Sequence, residues 1–568
     1  MRSQSTAHFS NCIVLDALLD PVEGNGGEGL VRDAISLMRL DSGERNYLCG
    51  SGVSCRIFRR KSCFLGTLVF PESENACLHN EALEKEVYEL LESQKLTEPP
   101  DRKLLFGRFD GMQLCALYVM DSCCTGKTQW FFSNLKEFAQ PLHLTQCSDG
   151  VGVLFSVSDY KGFCARAGEL AKNNNILCGA SARYDNRELA AGCFEKARRA
   201  AAECTPENPF LNFADVRWDC FRADAGEALL RAGVETWDFI HGTVKRINSY
   251  DRENRTEYFR SVFLYLLHGK NLREAAAQLN VHRNTLDYRI NRAKELFNID
   301  FTDSGICFEL LFSFMLYEEN FRDVEETAEI SGEERTLCLW AATKREAITP
   351  PATRQKYKLL YCPCDTLGDE TRAKLIEEAA IRFPCAETAF DERRILVLFD
   401  SGADSDEKLA GDIETFLNCY HCKGVLSGDF SLDRMPAQLA ICEMCCAMGP
   451  RFSGETPLYR VEEINSFLML AVIERNKSLS MYYCDEVMHV LQHDYERGSQ
   501  LANSLFIYLS SFLDLKKAAA ETSLHRNTVD YHVKKIQKIL SIAHPDRKLL
   551  FEMLCTYRML AVSDAKQL

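Results

Sequence analysis

The sequence predicts a protein of several domains, some α/β and some all-α, in which one unit of the chain occurs twice. The 568 residues are too many for one ordinary domain. Segments 271–296 and 514–539 align without a gap, and ten of their 26 positions are identical. Apolar runs alternate with amphipathic stretches ahead of both segments, as they do in α/β domains. A repeat so far apart indicates duplicated domains, because solenoid repeats are only about 20–50 residues long.

The N-terminal region is expected to span residues 1–100. A helix fits residues 27–40, alternating polarity predicts antiparallel strands within 47–70, and an acidic amphipathic stretch predicts a helix at 79–94. This order resembles the closing half of a GAF-type sensory domain, which implies a small, partial α+β sensory module. The GNGGEG stretch at 24–29 fits the G-x-G-x-x-G pattern, but no buried strand precedes it, so we expect a loop there.

Two α/β domains are expected, at 101–205 and 352–455. In the first, strands are predicted at 114–121, 150–157 and 176–181, and helices at 130–139, 159–173 and 186–203. In the second, strands are predicted at 356–362, 393–400 and 423–430, and helices at 369–383, 407–420 and 435–448. The duplication includes this domain, because VLF triplets at 153–155 and 397–399 are separated by nearly the same distance as the other repeat.

Mainly helical connectors are expected to lead from each α/β domain into the repeated segment, within 206–317 and 456–568. Between the two halves, residues 318–351 are expected to form an exposed, acidic linker. Its first 18 residues hold eight acidic and two basic side chains, and Pro350 and Pro351 close it.

Each repeated segment has the pattern of a helix-turn-helix. An apolar stripe at helical spacing runs along the two predicted helices of the first copy: Leu272, Ala275, Ala276, Leu279, Leu286, Ile290, Ala293 and Phe297. Asn280 lies between the helices and tolerates the left-handed conformation of a turn. The second copy has Thr522 in place of Leu279, and a buried threonine hydroxyl needs a hydrogen-bond partner.

Polar residues at the start of each second helix are the candidates for DNA contact, because a recognition helix enters the major groove with its N-terminal end. Arg and Asn can each make two hydrogen bonds to guanine and adenine, respectively. In the first copy the candidates are His282, Arg283, Asn284, Thr285, Tyr288, Asn291 and Arg292. In the second copy they are His525, Arg526, Asn527, Thr528, Tyr531, Lys534 and Lys535. Core packing does not require the shared His-Arg-Asn-Thr, so its presence in both copies predicts binding to double-stranded DNA.

The distribution of charge favours binding at a limited site. The whole chain has a net charge of −15, which would repel nucleic acid from most of its surface. The segment 271–296 has five basic and three acidic residues, and 514–539 has six basic and three acidic residues. Contact with phosphates is therefore expected at these two segments.

The H-R-N-T motif at 282–285 and 525–528, followed by a tyrosine and preceded by an alanine-rich helix, resembles the C-terminal helix-turn-helix of the PucR/CdaR family of bacterial transcriptional regulators. The resemblance implies a degenerate GGDEF-like domain before each helix-turn-helix, and so two tandem copies of this pair of domains. Asp287 and Asp530 depart from the family, in which their position is usually basic. An acidic side chain there repels phosphate.

No enzymatic activity is expected. The resemblance implies that a cyclase of the GGDEF fold would need a Gly-Gly-acidic turn after the central strand, whereas this chain has SVSDY at 156–160 and DSGAD at 400–404. Asp159, Asp400 and Asp404 are interpreted as loop or helix-cap residues.

The 26 cysteines are expected to act mostly as small apolar residues in a reducing cytosol. Cys419, Cys422, Cys442 and Cys445 have a spacing found in zinc sites. The second pair lies within a predicted helix and the first half has no equivalent, so we expect no metal site and no cofactor.

The sequence thus predicts a cytoplasmic transcriptional regulator with two DNA-reading helix-turn-helix units and an unknown small-molecule effector. No stretch has the pattern of a signal peptide or membrane span. We expect assembly either as a homodimer or as an intramolecular pseudo-dimer. The alternatives are a signal-binding or protein-interaction scaffold whose helix-turn-helix units no longer read DNA, and a cyclic-dinucleotide enzyme, which the missing turn disfavours.

Overall fold

The structure, a computed structural model, describes most of residues 113–563 and selected strands before them. The gaps after residue 113 are 122–125, 148, 185–191, 318–330, 345–354, 366, 402–405, 523 and 543–544. Before residue 113, five strands and the single residues 34, 85 and 87 are described. The chain divides into two compact units, Met1–Cys220 and Phe221–Leu568.

The N-terminal strands form one antiparallel sheet. They are β1 (Ile13–Asp16), β2 (Pro21–Gly24), β3 (Tyr47–Gly50), β4 (Val53–Arg60) and β5 (Cys63–Pro71), in the order β2-β1-β5-β4-β3. The strands predicted within 47–70 are confirmed, whereas β1 and β2 were not expected. The helices predicted at 27–40 and 79–94 lie outside the described residues, apart from the three single positions, and so does the GNGGEG stretch after Gly24.

The first α/β domain has five strands and three helices. Its strands are β6 (Gln113–Met120), β7 (Gln140–Gln146), β8 (Gly150–Val157), β9 (Cys178–Ala180) and β10 (Phe210–Asn212). Its helices are α1 (Gly126–Leu135), α2 (Tyr160–Asn174) and α3 (Cys193–Ala202). The sheet order is β10-β9-β6-β8-β7, and only the pair β9–β10 is parallel. Strands β6 and β8 are continuous apolar runs because both faces of the sheet are covered.

The second α/β domain repeats this arrangement strand for strand. Its strands are β11 (Tyr357–Pro363), β12 (Glu387–Phe390), β13 (Arg394–Asp400), β14 (Gly424–Leu426) and β15 (Leu458–Arg460). Its helices are α11 (Asp369–Arg382), α12 (Asp406–Cys419) and α13 (Met435–Ser453). The order β12-β13-β11-β14-β15, with only β14–β15 parallel, is the order of the first sheet. The two sheets thus have the same strand order, and both domains begin as β-α-β-β-α-β, a split βαβ unit.

Four strands of the two sheets were missed in the sequence: β7, β10, β12 and β15. The last strand of each sheet also lies beyond the expected domain ends at residues 205 and 455. Strands β10, β12 and β15 have only three or four residues and complete too little of a period-two pattern to be recognised, whereas β7 has seven residues.

The expected linker 318–351 is not an exposed connector throughout, because its described part contains helix α10 (Gly332–Lys344). This helix packs against β12 and α13, and it buries Leu339 and Ala342. It begins with a capping box: the Glu334 carboxylate accepts from the Ser331 backbone N–H at 2.9 Å, and the Ser331 hydroxyl accepts from the Glu334 N–H at 3.3 Å. The acidic residues therefore start a helix.

The remaining helices form two similar groups, and the predicted helical connectors are confirmed. The first group is α4 (Phe213–Arg231), α5 (Gly242–Asn254), α6 (Tyr258–Leu267), α7 (Leu272–Leu279), α8 (Arg283–Phe297) and α9 (Ser304–Leu316). The second group is α14 (Asn465–Asn476), α15 (Asp485–Arg497), α16 (Leu501–Ser510), α17 (Leu515–Thr522), α18 (Arg526–Leu540) and α19 (Arg547–Ser563). In the part of the chain that the structure describes, no helix combines the length and the apolar character that a membrane crossing requires.

Candidate nucleic-acid interface

Helices α6–α9 form what we call the first head, and α8 in it begins at a histidine cap. His282 has an extended backbone, and its Nδ1 accepts a hydrogen bond from the Asn284 backbone N–H at 3.2 Å. The preceding helix α7 ends at Asn280, whose φ of 56° is the predicted left-handed conformation. The turn between α7 and α8 is thus fixed by the residues on either side of it.

Helices α16–α19 form the second head, which repeats the cap. His525 Nδ1 accepts from the Asn527 backbone N–H at 3.2 Å. The Thr522 hydroxyl has the partner that the sequence demanded, because it donates to the Ala518 carbonyl oxygen at 2.8 Å within its own helix. Both heads therefore start their second helix in the same way.

The cap gives His282 a structural role that the sequence did not show. His282→Ala should lower the stability of the first head by about 1 kcal/mol, because the first turn of α8 loses its acceptor. His282→Asn should retain most of the stability, because asparagine is also a good cap. Urea unfolding of the two variants would measure the difference, and equal midpoints for both would contradict the cap.

The predicted stripe of the first recognition helix is confirmed, since Leu286, Ile290, Ala293 and Phe297 are all buried. The second is packed less tightly. Val529 and Ile536 are buried there, but Val533 is only half-buried. Leu524, at the corner of the turn, leaves 38% of its surface exposed.

The residues predicted to contact DNA lie mostly on the surface. All seven in the first head are exposed: His282, Arg283, Asn284, Thr285, Tyr288, Asn291 and Arg292. Five in the second are exposed: His525, Arg526, Asn527, Tyr531 and Lys534. Thr528 and Lys535 are half-buried. The two tyrosine rings are 67% and 62% exposed, which is high for a large aromatic side chain and leaves both free for contact with a ligand surface.

Two positions that differ between the heads hold the recognition helices in place. Arg289 donates to the Glu257 carboxylate at 2.8 Å, which ties α8 to the start of α6. At the equivalent position, His532 Nδ1 is hydrogen-bonded to the Ser504 hydroxyl at 2.7 Å. These side chains are turned towards their own domains, a role that sequence reasoning missed.

The acidic position in the second head is partly neutralised. Asp530 and Lys534 form an exposed ion pair at 2.6 Å, one helical turn apart. A surface pair of this kind contributes at most about 1 kcal/mol, so a phosphate can compete for Lys534. The equivalent of Lys534 in the first head is Asn291, so the same pair cannot form with Asp287.

The two heads pack on each other through reciprocal contacts. Helix α9 of the first head contacts α16, and the equivalent helix α19 of the second contacts α6. Phe308 and Phe551, which are equivalent in the two heads, stack with 6.2 Å between ring centroids and 21° between planes. A residue that meets its own equivalent lies on an axis of approximate two-fold symmetry.

A further contact between the heads has an equivalent on the other side of this axis. The two contacts use different residue types. Arg547 donates to the Glu274 carboxylate at 2.5 Å. At the equivalent positions, Lys517 donates to the Ser304 hydroxyl at 2.5 Å and to the Thr302 carbonyl oxygen at 2.9 Å. The interface has kept its geometry while its residues have diverged.

A buried ion pair lies beside the axis on one side. The Glu309 carboxylate accepts from Arg558 at 2.7 Å, and from the backbone N–H and hydroxyl of Ser466 at 2.8 and 2.7 Å. Burial raises the pKa of Glu309, and the Arg558 guanidinium opposes this rise. The position equivalent to Arg558 is Met315, so the other side of the axis has no matching arginine.

The carboxylates considered for a cyclase have structural partners. Asp159 caps α2, where its side chain accepts from the Gly162 backbone N–H at 3.1 Å, and the cap interpretation is confirmed. Asp400 is the last residue of strand β13, so its interpretation as a loop or cap residue is wrong, and its carboxylate pairs with Arg335 of helix α10 at 3.2 Å. Asp404 lies outside the described residues.

The cysteines with zinc-like spacing are placed differently from one another. Cys442 and Cys445 are buried in α13, where burial raises the pKa of both thiols, whereas Cys419 is exposed. Within the described ranges, no three His, Cys, Asp or Glu side chains are grouped so that they could hold a metal ion. The absence of a metal and a cofactor stays a prediction.

Comparison with known proteins bears on the two heads. Residues 258–316 and 501–556 match the family model of the PucR C-terminal helix-turn-helix domain. The proline-responsive transcriptional activator PutR of Bacillus subtilis (strain 168) is 34% identical over 73 residues, which are 13% of this chain and 18% of PutR. The chain therefore covers less than two thirds of the length of this relative.

Among solved structures, the regulator of polyketide synthase expression from Bifidobacterium adolescentis is similar at 14% identity and a TM-score of 0.22. The alignment covers 42% of this chain and 96% of that one. A likeness at this level does not bear on the fold.

The family matches coincide with the elements described above. The first runs from the start of α6 to the end of α9, and the second runs from the start of α16 into α19. The PucR-type matches and the description of PutR as a transcriptional activator support a transcriptional regulator, and they indicate no enzyme family. Two segments of the chain thus match the PucR C-terminal helix-turn-helix domain, and they coincide with the first head and the second head.

Proposed function

We propose that this protein is a sequence-specific, DNA-binding transcriptional regulator whose two heads read DNA from one chain. The observation that carries the proposal is the start of α8 and of α18, where a capped helix exposes the same Arg-Asn pair. Such an end is the part of a recognition helix that reaches base edges in the major groove. The PucR-type matches and the description of PutR as an activator support the same function.

The first test is the binding of DNA selected from a random pool. Arg283→Ala should weaken binding to the preferred site by about 1–3 kcal/mol, because a contact to a base edge is lost. Lys534→Ala should weaken binding more evenly across sequences, because a phosphate contact carries little sequence information. Fluorescence anisotropy at fixed salt would measure both effects, with Lys374→Ala as a control at an exposed lysine far along the sequence.

The outcomes separate the alternatives. Parent-like binding by both variants would contradict the assigned contacts. Failure of the folded protein to select any DNA would favour a scaffold that binds a signal or a partner protein.

We further propose that the two heads act together as an intramolecular pseudo-dimer. The reciprocal contacts across the Phe308–Phe551 axis support this arrangement. One polypeptide holds the second head near the first at an effective concentration of about the millimolar range. The heads present different residues at Asn291 and Lys534, so their half-sites should differ. Homodimerisation of whole chains is the alternative assembly.

The rest of the chain is proposed to sense a small-molecule or metabolic signal in the cytoplasm, where it has access to DNA. The two split βαβ domains support the interpretation as degenerate GGDEF-like domains, and the N-terminal antiparallel sheet is compatible with a GAF-type module.

No turnover of cyclic dinucleotides is expected. Asp159 is occupied as a helix cap and Asp400 by its ion pair with Arg335, so neither is disposed as a metal ligand. Chromatography of the purified protein after incubation with GTP, or with a cyclic dinucleotide, should show only starting material. Turnover that follows the protein through a further purification step would overturn this expectation.

A further inference from the structure

A cavity of about 380 Å³ lies in the second head, on the inner side of its recognition helix. Its wall is mostly apolar and includes Leu505, Val533, Ile536, Leu540 and Met553. This volume falls within the range of small-molecule sites, which is about 300–1,000 Å³. The cavity thus has the size and lining of a ligand site.

The polar part of the wall holds two opposite charges. Glu274 and Arg547, which pair across the interface between the heads, both line the cavity. Burial raises the pKa of the Glu274 carboxyl, but hydrogen bonds to Arg547 and His268 outweigh it, and the pKa is lowered on balance. A ligand in the cavity therefore meets an apolar wall together with one anion and one cation.

The first head has an aromatic side chain at one of the equivalent positions and a further aromatic pair near another. Phe297, in the place of Leu540, is buried and lies 5.5 Å from the Tyr250 ring. Phe301 lies 5.5 Å from Tyr265, which is equivalent to Tyr508 in the cavity wall. This region of the fold therefore accommodates bulky apolar groups.

We propose that this cavity binds a free α-amino acid with a bulky apolar side chain. The side chain would occupy the wall formed by Val533, Ile536 and Leu540, the carboxylate would face Arg547, and the ammonium group would face Glu274. Each charge of the ligand meets its opposite. An apolar acid would bring a second anion next to Glu274, and an apolar amine would bring a second cation next to Arg547. This arrangement selects a zwitterion.

The site would connect ligand binding to the arrangement of the heads. Its occupant touches the recognition helix α18 and the ion pair that joins the two heads, so the free energy of binding depends on both. The regulatory role of the ligand rests on the proposed function. Binding of the amino acid does not, because it needs no DNA.

The test is isothermal titration calorimetry of the full chain with L-leucine, L-methionine and L-phenylalanine. At least one of them should bind saturably. Leucinamide, which lacks the carboxylate, and 4-methylpentanoic acid, which lacks the amino group, should bind about tenfold more weakly than leucine or worse, because each loses a charge-assisted contact. Absence of saturable binding by all three amino acids would overturn the proposal.

Two substitutions test whether the ligand binds in this cavity. Each introduces the residue found at the equivalent position of the first head. Leu540→Phe should fill the cavity and abolish binding while the thermal transition remains. Arg547→Ser should weaken the binding of leucine but not that of leucinamide. Lys294→Gln, at the position of the first head that is equivalent to Gln537, should change neither. Unaltered leucine binding by folded Leu540→Phe, or by Arg547→Ser if the former does not fold, would overturn the proposal.

DNA binding is measured separately on the selected DNA without amino acid. A protein that binds DNA but no amino acid refutes the ligand site alone. A protein that binds an amino acid but no DNA refutes the regulator alone.

Discussion

Replacing Arg558 with methionine should lower the free energy of unfolding by about 3–5 kcal/mol, the largest effect expected from a single substitution in this chain. The Glu309 carboxylate is almost completely buried, and Arg558 is the cation paired with it. Removal of the cation leaves a buried charge without compensation. Methionine is the residue at the equivalent position of the first half, Met315, so the variant introduces a side chain that the fold already accommodates. The shift of the urea midpoint would measure the loss.

The double variant Glu309→Gln with Arg558→Met is the matched control. It removes both charges and should recover most of the stability, because an ion pair replaced as a whole costs far less than one broken in half. An Arg558→Met protein that unfolds at the same urea concentration as the parent would contradict the importance of the pair.

The same variant should depend on pH in a defined direction. Burial raises the pKa of Glu309 in the folded chain, and loss of Arg558 removes the charge that opposes this rise. The folded state then holds a proton that the unfolded state has released, so stability falls as pH rises from the ordinary carboxyl pKa to the raised one. The deficit of Arg558→Met, which is its loss of unfolding free energy relative to the parent, should therefore be smaller at about pH 5 than at about pH 7.5. A deficit that grows on acidification would contradict this assignment.

Disabling one head at a time should erase DNase protection over one half of the selected site. Arg283→Ala removes a base contact from the first head, and Arg526→Ala removes the equivalent contact from the second. Each contact is expected to contribute about 1–3 kcal/mol. The two half-sites should differ in sequence, and their centres should lie about one helical turn of DNA apart or a multiple of it.

The pattern of protection decides between one reading head and two. Loss of protection over both halves in either variant, or no loss with Arg526→Ala, would contradict the two-headed arrangement. The variant Lys374→Ala, which changes an exposed lysine of α11, should leave the whole footprint intact.

The helix-turn-helix units could be predicted from the sequence because two independent signals agree there. The stripe from Leu286 to Phe297 has the spacing of a buried helical face, and the duplication repeats it without a gap. The left-handed turn at Asn280 followed from residue type alone. The α/β strands β6, β8, β11 and β13 were recognisable for a similar reason, since each is a long apolar run.

Other features escaped prediction because their signals are short or depend on distant residues. Strand β10 has only three residues, and its identity depends on parallel pairing with β9. Helix α10 carried a local signal, the capping box of Ser331 and Glu334, which its acidic surroundings concealed. The capping role of His282 was hidden because histidine is not among the usual N-cap residues.

The ion pair between Glu274 and Arg547 has a consequence for the fidelity of assembly. If two second halves met in the same geometry, Lys517 would face Arg547, and two cations would oppose each other at both contacts. Two first halves would place Glu274 against Ser304, with no opposite charge. Only unlike halves bring an anion to a cation. Within one chain the two contact surfaces need not match themselves, so each half can carry residues that a self-complementary surface would reject.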